Sequence, residues 1–137
     1  MNFDPVKNFA TTTLVSGIND SVTNMIVTDA SVFPNPNTEG AFNVVIWDTY
    51  EKAVIFDTNR EIVRCTALSG NTFTIIRGQE GTTATNHNTA GHIYNVDLCF
   101  TSSMYNTFAS GINLALSGAG NTSNSADVCL IWSHLGT

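Results

Sequence analysis

Alternating apolar and polar residues predict a β-hairpin near the middle of the chain. Residues 61–68 and 72–77 are rich in β-branched side chains and flank a Ser-Gly-Asn turn. The distribution of side chains between the two faces favours a three-residue loop, which sets Cys65 opposite Ile75 on an apolar face. Asn71 would then adopt the left-handed conformation that such a loop requires. This hairpin is the strongest local signal in the sequence.

The same pattern predicts further strands on both sides of the hairpin. Alternation or short apolar runs mark residues 9–15, 22–28, 42–47, 93–100, 112–117 and 128–132. A short helix is predicted between a cap at Thr101 or Ser102 and the region of Gly111. Because turn signals recur every 8 to 12 residues or so, we expect an all-β fold, a small β-sandwich or barrel of about seven to nine strands with one short helix.

The length of 137 residues fits one domain with a hydrophobic core. Residues 1–8 show little periodicity and are expected to form an extended N-terminal arm, which is either a loose terminus or a clasp on a neighbouring subunit. Residues 9–137 are expected to form a single β-domain. Its last part, 112–137, contains a continuous apolar run and is a possible assembly segment, because such a run must pack on its own domain or on a neighbour.

The composition indicates a neutral, polar surface. Only 12% of the residues are charged, 42% are hydrophobic, and Asn and Thr together make up about a quarter of the chain. Typical domains carry roughly twice that share of charged residues, so we expect neighbouring chains to cover much of this surface. A net charge of −6 with no Lys/Arg cluster argues against nucleic acid as a partner.

The sequence also argues against membrane insertion and secretion. The longest apolar runs are about five residues, well below the roughly 20 that a membrane span needs, and the N-terminus has no basic region followed by an apolar one. Cys65, Cys99 and Cys129 each lie in an apolar run, so buried free thiols are expected. These features fit assembly in a reducing cytoplasm.

No residue pattern points to catalysis. His87 and His92 lie near Glu80 but lack the further converging ligands of a metal site, so we expect these histidines to bond to the backbone. The sequence contains no nucleophile elbow, phosphate-binding loop or close carboxylate pair. We therefore predict that the protein is not an enzyme and uses no metal or other cofactor. Arg77 could pair with Glu80 to hold an internally satisfied turn, or this loop could contact the next subunit.

The order EIVR, SGNTFTI, RGQEGTTA and HNTAG resembles a small β-domain of tailed-bacteriophage virion proteins. Similar domains occur at the base of tail-fibre-like proteins and in small head or tail accessory proteins, and residues 7–14 and 42–47 fit the same pattern. The resemblance covers about residues 7–100 and departs in 48–59, where Ile55 and Phe56 would form a contact patch if exposed. It implies a structural role in the virion, after assembly in the bacterial host cytoplasm, and a homotrimer.

Three functions are compatible with these observations. The first is a head decoration or cement protein that stabilises the capsid through contacts with the major capsid protein. The extended N-terminal arm and the apolar run near the C-terminus favour this role. The second is a tail-fibre adaptor or tail accessory protein bound to other tail proteins. The third is a virion carbohydrate-binding module that stacks sugars on Trp47, Tyr50, Tyr94 and Trp132. The candidate assembly contacts are Phe3, Phe9, Ile55, Phe56, Arg77, Glu80, Ile131 and Trp132.

Overall fold

The structure, a computed structural model, describes residues 3–121. The chain divides into two compact units. One is Asp4–Thr101, and the other combines Met1–Phe3 with Ser102–Thr137. The first unit is built from β-strands, and the described part of the second contains a helix.

The β unit contains one antiparallel sheet. Its strands are β1 (Thr11–Thr13), β2 (Asn24–Ile26), β3 (Phe42–Asp48), β4 (Glu61–Ser69), β5 (Thr72–Gln79) and β6 (Tyr94–Leu98), in the spatial order β1-β6-β3-β4-β5-β2. Two single-turn 3₁₀ helices, Thr49–Glu51 and Val54–Phe56, lie between β3 and β4. The prediction of a mostly β fold with one helix is confirmed, with six strands in the described residues.

The two outer strands of this sheet, β1 and β2, are joined just beyond their ends. Leu14 forms an antiparallel bridge with Val27. Around it, the Val15 amide donates to the Ile26 carbonyl at 3.0 Å and the Thr28 amide donates to the Thr13 carbonyl at 2.9 Å. Since these bonds connect opposite edges of one sheet, the sheet curls strongly around its inner face.

The core fills that inner face. Its buried side chains come from alternate positions of the strands and from the loops before β3: Leu14, Ile18, Met25, Val27, Phe33, Phe42, Val44, Ile46, Val63, Cys65, Phe73, Ile75, Tyr94 and Val96. Phe33, Phe42 and Phe73 form an aromatic cluster with ring centroids 5.7 to 6.0 Å apart. Each such pair contributes about 0.5–1.5 kcal/mol beyond its area burial.

Cys65 is a buried free thiol as predicted, whereas free Cys99 is only partly buried, and Cys129 lies outside the described residues.

The central hairpin differs from the prediction in its loop. The loop has two residues, and Gly70 occupies its first position with φ 59°, so the assignment of the left-handed conformation to Asn71 was wrong. Cys65 does face Ile75, as predicted. A two-residue loop alone would not place Cys65 opposite Ile75. A β-bulge at Thr66 allows this pairing, because the one extra residue in β4 shifts the register and returns the apolar side chains to the buried face.

The predicted strand at 112–117 is wrong. A single helix, α1, spans Ser102–Asn121 and continues through the expected end near Gly111. The apolar residues Tyr105, Phe108 and Ile112 keep a three-and-four spacing that favours a helix, and one glycine in a helix interior costs only about 1 kcal/mol relative to alanine. The predicted strand at 128–132 lies outside the described residues.

Candidate assembly surfaces

The loop that follows β5 is fixed by a buried carboxylate, Glu61 of β4. Glu61 is fully buried and accepts hydrogen bonds from Arg77 Nε at 2.8 Å and Arg77 Nη2 at 2.7 Å. The amides of Gly78 and Thr85 donate to it at 2.8 and 3.2 Å, and His87 Nε2 lies 2.9 Å from Oε2. One side chain therefore holds four residues between 77 and 87.

The electrostatics of this site keep Glu61 ionised. Burial alone would raise its pKa, but the hydrogen bonds from Arg77, His87 and the amides of Gly78 and Thr85 outweigh burial and lower the pKa to about 2. The Arg77 guanidinium, itself almost fully buried, is thus paired with a permanent negative charge at neutral pH. This ion pair and its hydrogen bonds give the loop a defined position on the sheet.

The side chains of Arg77 and Glu80 have different partners from those predicted. The guanidinium of Arg77 pairs with Glu61, and it also donates to the main-chain oxygens of Val22 and Thr85 at 3.0 and 2.8 Å. Glu80 accepts a hydrogen bond of 2.6 Å from Asn43 Nδ2. For Arg77 the structure therefore favours the internally satisfied alternative.

A second surface is built by the segment between β3 and β4. Its anchor is Asp57, which is buried and accepts hydrogen bonds from the amides of Asp48 and Asn59, both at 2.8 Å. Arg60 Nη1 donates to the Asp57 carbonyl at 2.9 Å. These bonds fix Asp57 at the C-terminal end of the short helix Val54–Phe56, so the exposed side chains of the helix project from a support that is held on that side.

The exposed side chains of that helix are Ile55 and Phe56, which we call the apolar tip. Ile55 is 74% exposed and Phe56 is 66% exposed. Two large adjacent apolar side chains held in water are unfavourable unless another surface covers them. Sequence reasoning selected both residues, and the structure places them together at the surface.

A cavity of about 370 Å³ opens beside the apolar tip, on the outer face of the sheet. It is lined by Val45, Val54, Arg60, Ile62, Thr82, Asp97 and Cys99. The lining is mainly apolar, with a guanidinium, a hydroxyl and a carboxylate among the groups around it. Its dimensions suit one or two apolar side chains of a partner protein. Sequence analysis did not identify it, because the lining comes from five separate segments of the chain.

The N-terminal arm is tied to the sheet from its fourth residue. Arg64 donates two hydrogen bonds of 2.9 Å to the carboxylate of Asp4, and Lys7 Nζ donates to the Ser31 carbonyl at 2.7 Å. Phe9, which directly follows the arm, is 94% exposed and has a positive φ of 59°. Phe3 is also exposed and belongs to the helical unit. Ile131 and Trp132 lie outside the described residues.

The aromatic residues considered for sugar stacking have different environments. Tyr94 belongs to the hydrophobic core, so its ring face is covered by protein. The Trp47 indole donates to Asp97 at 2.6 Å, and Tyr50 is exposed with its ring centroid 5.6 Å from that of His92. Trp132 lies outside the described residues.

The side chains of His87 and His92 bond to carboxylates, not to the backbone as predicted. His92 Nδ1 lies 2.6 Å from Asp48 Oδ2, and His87 contacts Glu61 as described above. The main chains of both residues do bond to the backbone: His87 pairs with Ile18, and the His92 amide donates to the Thr89 carbonyl at 3.3 Å. Within residues 3–121, no cluster of three or more His, Cys, Asp or Glu side chains has a geometry that could hold a metal ion. The helices of this part of the chain are too short or too polar to cross a membrane.

The buried carboxylate is the feature that sequence reasoning missed. The sequence pattern places Glu61 in a strand, but it did not lead us to expect that the carboxylate is buried. Glu61 lies on the same inward face of β4 as Val63 and Cys65. An acidic residue that continues an apolar alternation is the available signal, because a buried carboxylate requires hydrogen-bonding partners.

The chain was also compared with known proteins. No protein-family model matches it, and no curated protein matches it either.

Proposed function

We propose that this protein is a structural subunit of a tailed-bacteriophage virion and acts through protein contacts, not catalysis. Its most favoured role is a capsid decoration or cement protein that stabilises the head by bridging subunits. The observation that carries the proposal is the apolar tip, Ile55 and Phe56, which is largely exposed to solvent on a hydrogen-bonded support. Such a rigid apolar projection fits insertion into a complementary site on another protein.

The cavity beside the tip extends this surface. A projection and a neighbouring cavity of about 370 Å³ allow each subunit both to insert side chains into a partner and to receive them. The charge content of 12% supports the same role, because contacts with neighbouring chains replace the charged surface that an isolated protein would need. The expected partner is the major capsid protein, and the assembly unit implied by the resemblance is a homotrimer.

We further propose that the curled sheet belongs to a small barrel or sandwich of seven to nine strands. The bridge between Leu14 and Val27 supports the barrel, because it connects the first and last strands of the sheet order.

The test combines copy number with a tip variant. Quantitative mass spectrometry of purified particles should find hundreds of copies for a decoration protein, whereas a handful, in multiples of three or six, would favour the alternative of a tail-fibre adaptor or tail accessory protein. The double variant Ile55→Ser/Phe56→Ser should fold normally and lose occupancy on particles at least tenfold. Ile93→Ser, at another exposed isoleucine, is the matched control and should bind like the wild type. Undiminished occupancy of the double variant would refute the role of the tip.

A further inference from the structure

Arg60 differs from the other two arginines of the chain in having no carboxylate partner among the described residues. Arg64 forms two hydrogen bonds with the carboxylate of Asp4. Arg77 forms two with the carboxylate of Glu61. Arg60 forms no ion pair in the part of the chain that the structure describes, although the sequence contains 11 acidic residues. Its positive charge is therefore available to another molecule.

The guanidinium of Arg60 is held in place by main-chain oxygens. Its Nη1 donates to the Asp57 carbonyl at 2.9 Å and lies 3.5 Å from the Ile55 carbonyl. Its Nε and Nη2 donate no hydrogen bond within the described part of the chain. The same two nitrogens of Arg77 bind the carboxylate of Glu61 at 2.8 and 2.7 Å. Arg60 therefore presents an open edge with the geometry that binds a carboxylate through two hydrogen bonds.

Arg60 lines the cavity of about 370 Å³ that opens beside the apolar tip. The large aliphatic residues of the lining are Val45, Val54 and Ile62. Asp97 is the other charged residue of the lining, and both of its carboxylate oxygens already accept hydrogen bonds, one from the Trp47 indole at 2.6 Å and one from the Thr11 hydroxyl. Arg60 therefore has open donors at this cavity, whereas Asp97 is already engaged.

Charge complementarity restricts what can cover this cavity. An apolar group alone would remove water from the guanidinium of Arg60 and leave the charge unpaired, which is unfavourable. A basic group would add repulsion between like charges. A carboxylate satisfies the open edge of Arg60, while an apolar side chain next to it fills the aliphatic part of the cavity. The cavity therefore favours an acidic residue that lies beside an apolar one.

We propose that the partner protein presents an Asp or Glu carboxylate to Arg60, next to an apolar side chain that enters the cavity. This inference rests on the proposed function, because it names the chemistry of the surface that the apolar tip and the cavity contact. It makes Arg60 the residue that distinguishes an acidic partner surface from a neutral or basic one.

The first test uses two small probes, isocaproate and isohexanol, which have the same branched chain and differ in carrying a carboxylate or a hydroxyl group. Each is titrated into the isotope-labelled full chain at constant ionic strength, and binding is followed by NMR. Both should shift the amide signals of Val45 and Ile62, and isocaproate should bind at least about fivefold more tightly. Equal affinities, or no binding of either probe up to about 20 mM, would overturn the proposal.

Variants of the two exposed cations assign the preference to one residue. Arg60→Gln should bind isohexanol like the wild type and lose the preference for isocaproate. Lys52→Gln is the matched control, because it removes the same charge from an exposed residue that does not line the cavity, and it should keep the preference. Arg60→Lys serves if the glutamine variant fails to fold. It retains the charge without the planar fork and should keep a weaker preference. A preference that survives in Arg60→Gln, or that Arg60→Lys loses entirely, would contradict the proposal.

Binding of the purified protein to particles that lack it separates this inference from the proposed function. Arg60→Gln should bind at least about tenfold more weakly than the wild type, and Lys52→Gln should bind within about twofold of it. If Ile55→Ser/Phe56→Ser binds weakly while Arg60→Gln binds like the wild type, the tip has a partner that supplies no carboxylate, and only this inference fails. If the tip variant also binds like the wild type, the proposed function fails.

Discussion

Replacing Glu61 with glutamine should destabilise the β unit strongly. Glu61→Gln preserves the size of the side chain but removes the charge that pairs with the nearly buried guanidinium of Arg77. Breaking a buried ion pair by removing one partner typically costs about 3–5 kcal/mol, because the remaining charge is left uncompensated. The pKa leads to a similar value. A fall from the ordinary value of 4.5 to about 2 corresponds to at most about 3 kcal/mol of stability at neutral pH.

The sign of the pH dependence follows from the same pKa. Glu61 binds a proton less readily in the folded chain than in the unfolded chain, so its contribution to stability is complete above about pH 4.5. That contribution is lost progressively as the pH falls from about 4.5 towards 2. The wild type should therefore lose stability over this interval, and Glu61→Gln should lose less, because the glutamine does not titrate.

Urea unfolding followed by tryptophan fluorescence or circular dichroism, at several pH values between 7 and 3, measures both effects. Glu51→Gln is the control, since Glu51 is exposed and surface substitutions usually change stability by less than about 0.5 kcal/mol. A loss below about 1 kcal/mol for Glu61→Gln at pH 7, or identical pH profiles for this variant and the wild type, would refute the assigned role of the carboxylate.

Three further predictions concern other parts of the β unit. Gly17→Ala should lower the melting temperature, because a Cβ would lie only 2.9 Å from the main-chain oxygen of His87; calorimetry would measure the loss, expected to be about 1–3 kcal/mol, and an unchanged melting temperature would contradict it. Burial raises the pKa of the Cys65 thiol, so peptide mapping after labelling at pH 8 should find it unmodified until the chain unfolds, and rapid labelling of the native protein would count against this packing. Asp4→Asn should weaken the contact with Arg64 and accelerate proteolysis within the arm, while stability changes by no more than about 1 kcal/mol; equal cleavage rates in variant and wild type would show that this ion pair does not hold the arm.

The strands could be predicted from the sequence where one face of a segment is apolar and the other is polar. The pairing of Cys65 with Ile75 followed from matching the apolar faces of the hairpin, and the structure confirms it. The bulge at Thr66 could not be predicted, because one additional residue changes the register without changing the composition of either strand. Ile112 and Leu114 were misassigned for a related reason. Over a short window, alternation and three-and-four spacing select overlapping sets of apolar residues.

The buried carboxylate shows a different limit of sequence analysis. The partners of Glu61 are Arg77 and His87, which lie 16 and 26 residues further along the chain. No local pattern connects residues at those separations, and only the folded sheet brings them together. The exposed pair Ile55 and Phe56 was easier to select, because two large apolar residues in a loop are unusual by themselves.

The bridge between Leu14 and Val27 has a consequence for the assembly of many copies that we propose. The exposed main chain of an outer strand is a template on which other chains can add strands, and crowding favours that uncontrolled stacking. Here the residues beside the outer strands use their amides and carbonyls within the molecule. Contacts between crowded copies therefore depend more on side chains than on the main chain. Side-chain contacts can be strengthened or weakened by single substitutions, so the strength of an assembly can change while the fold stays the same.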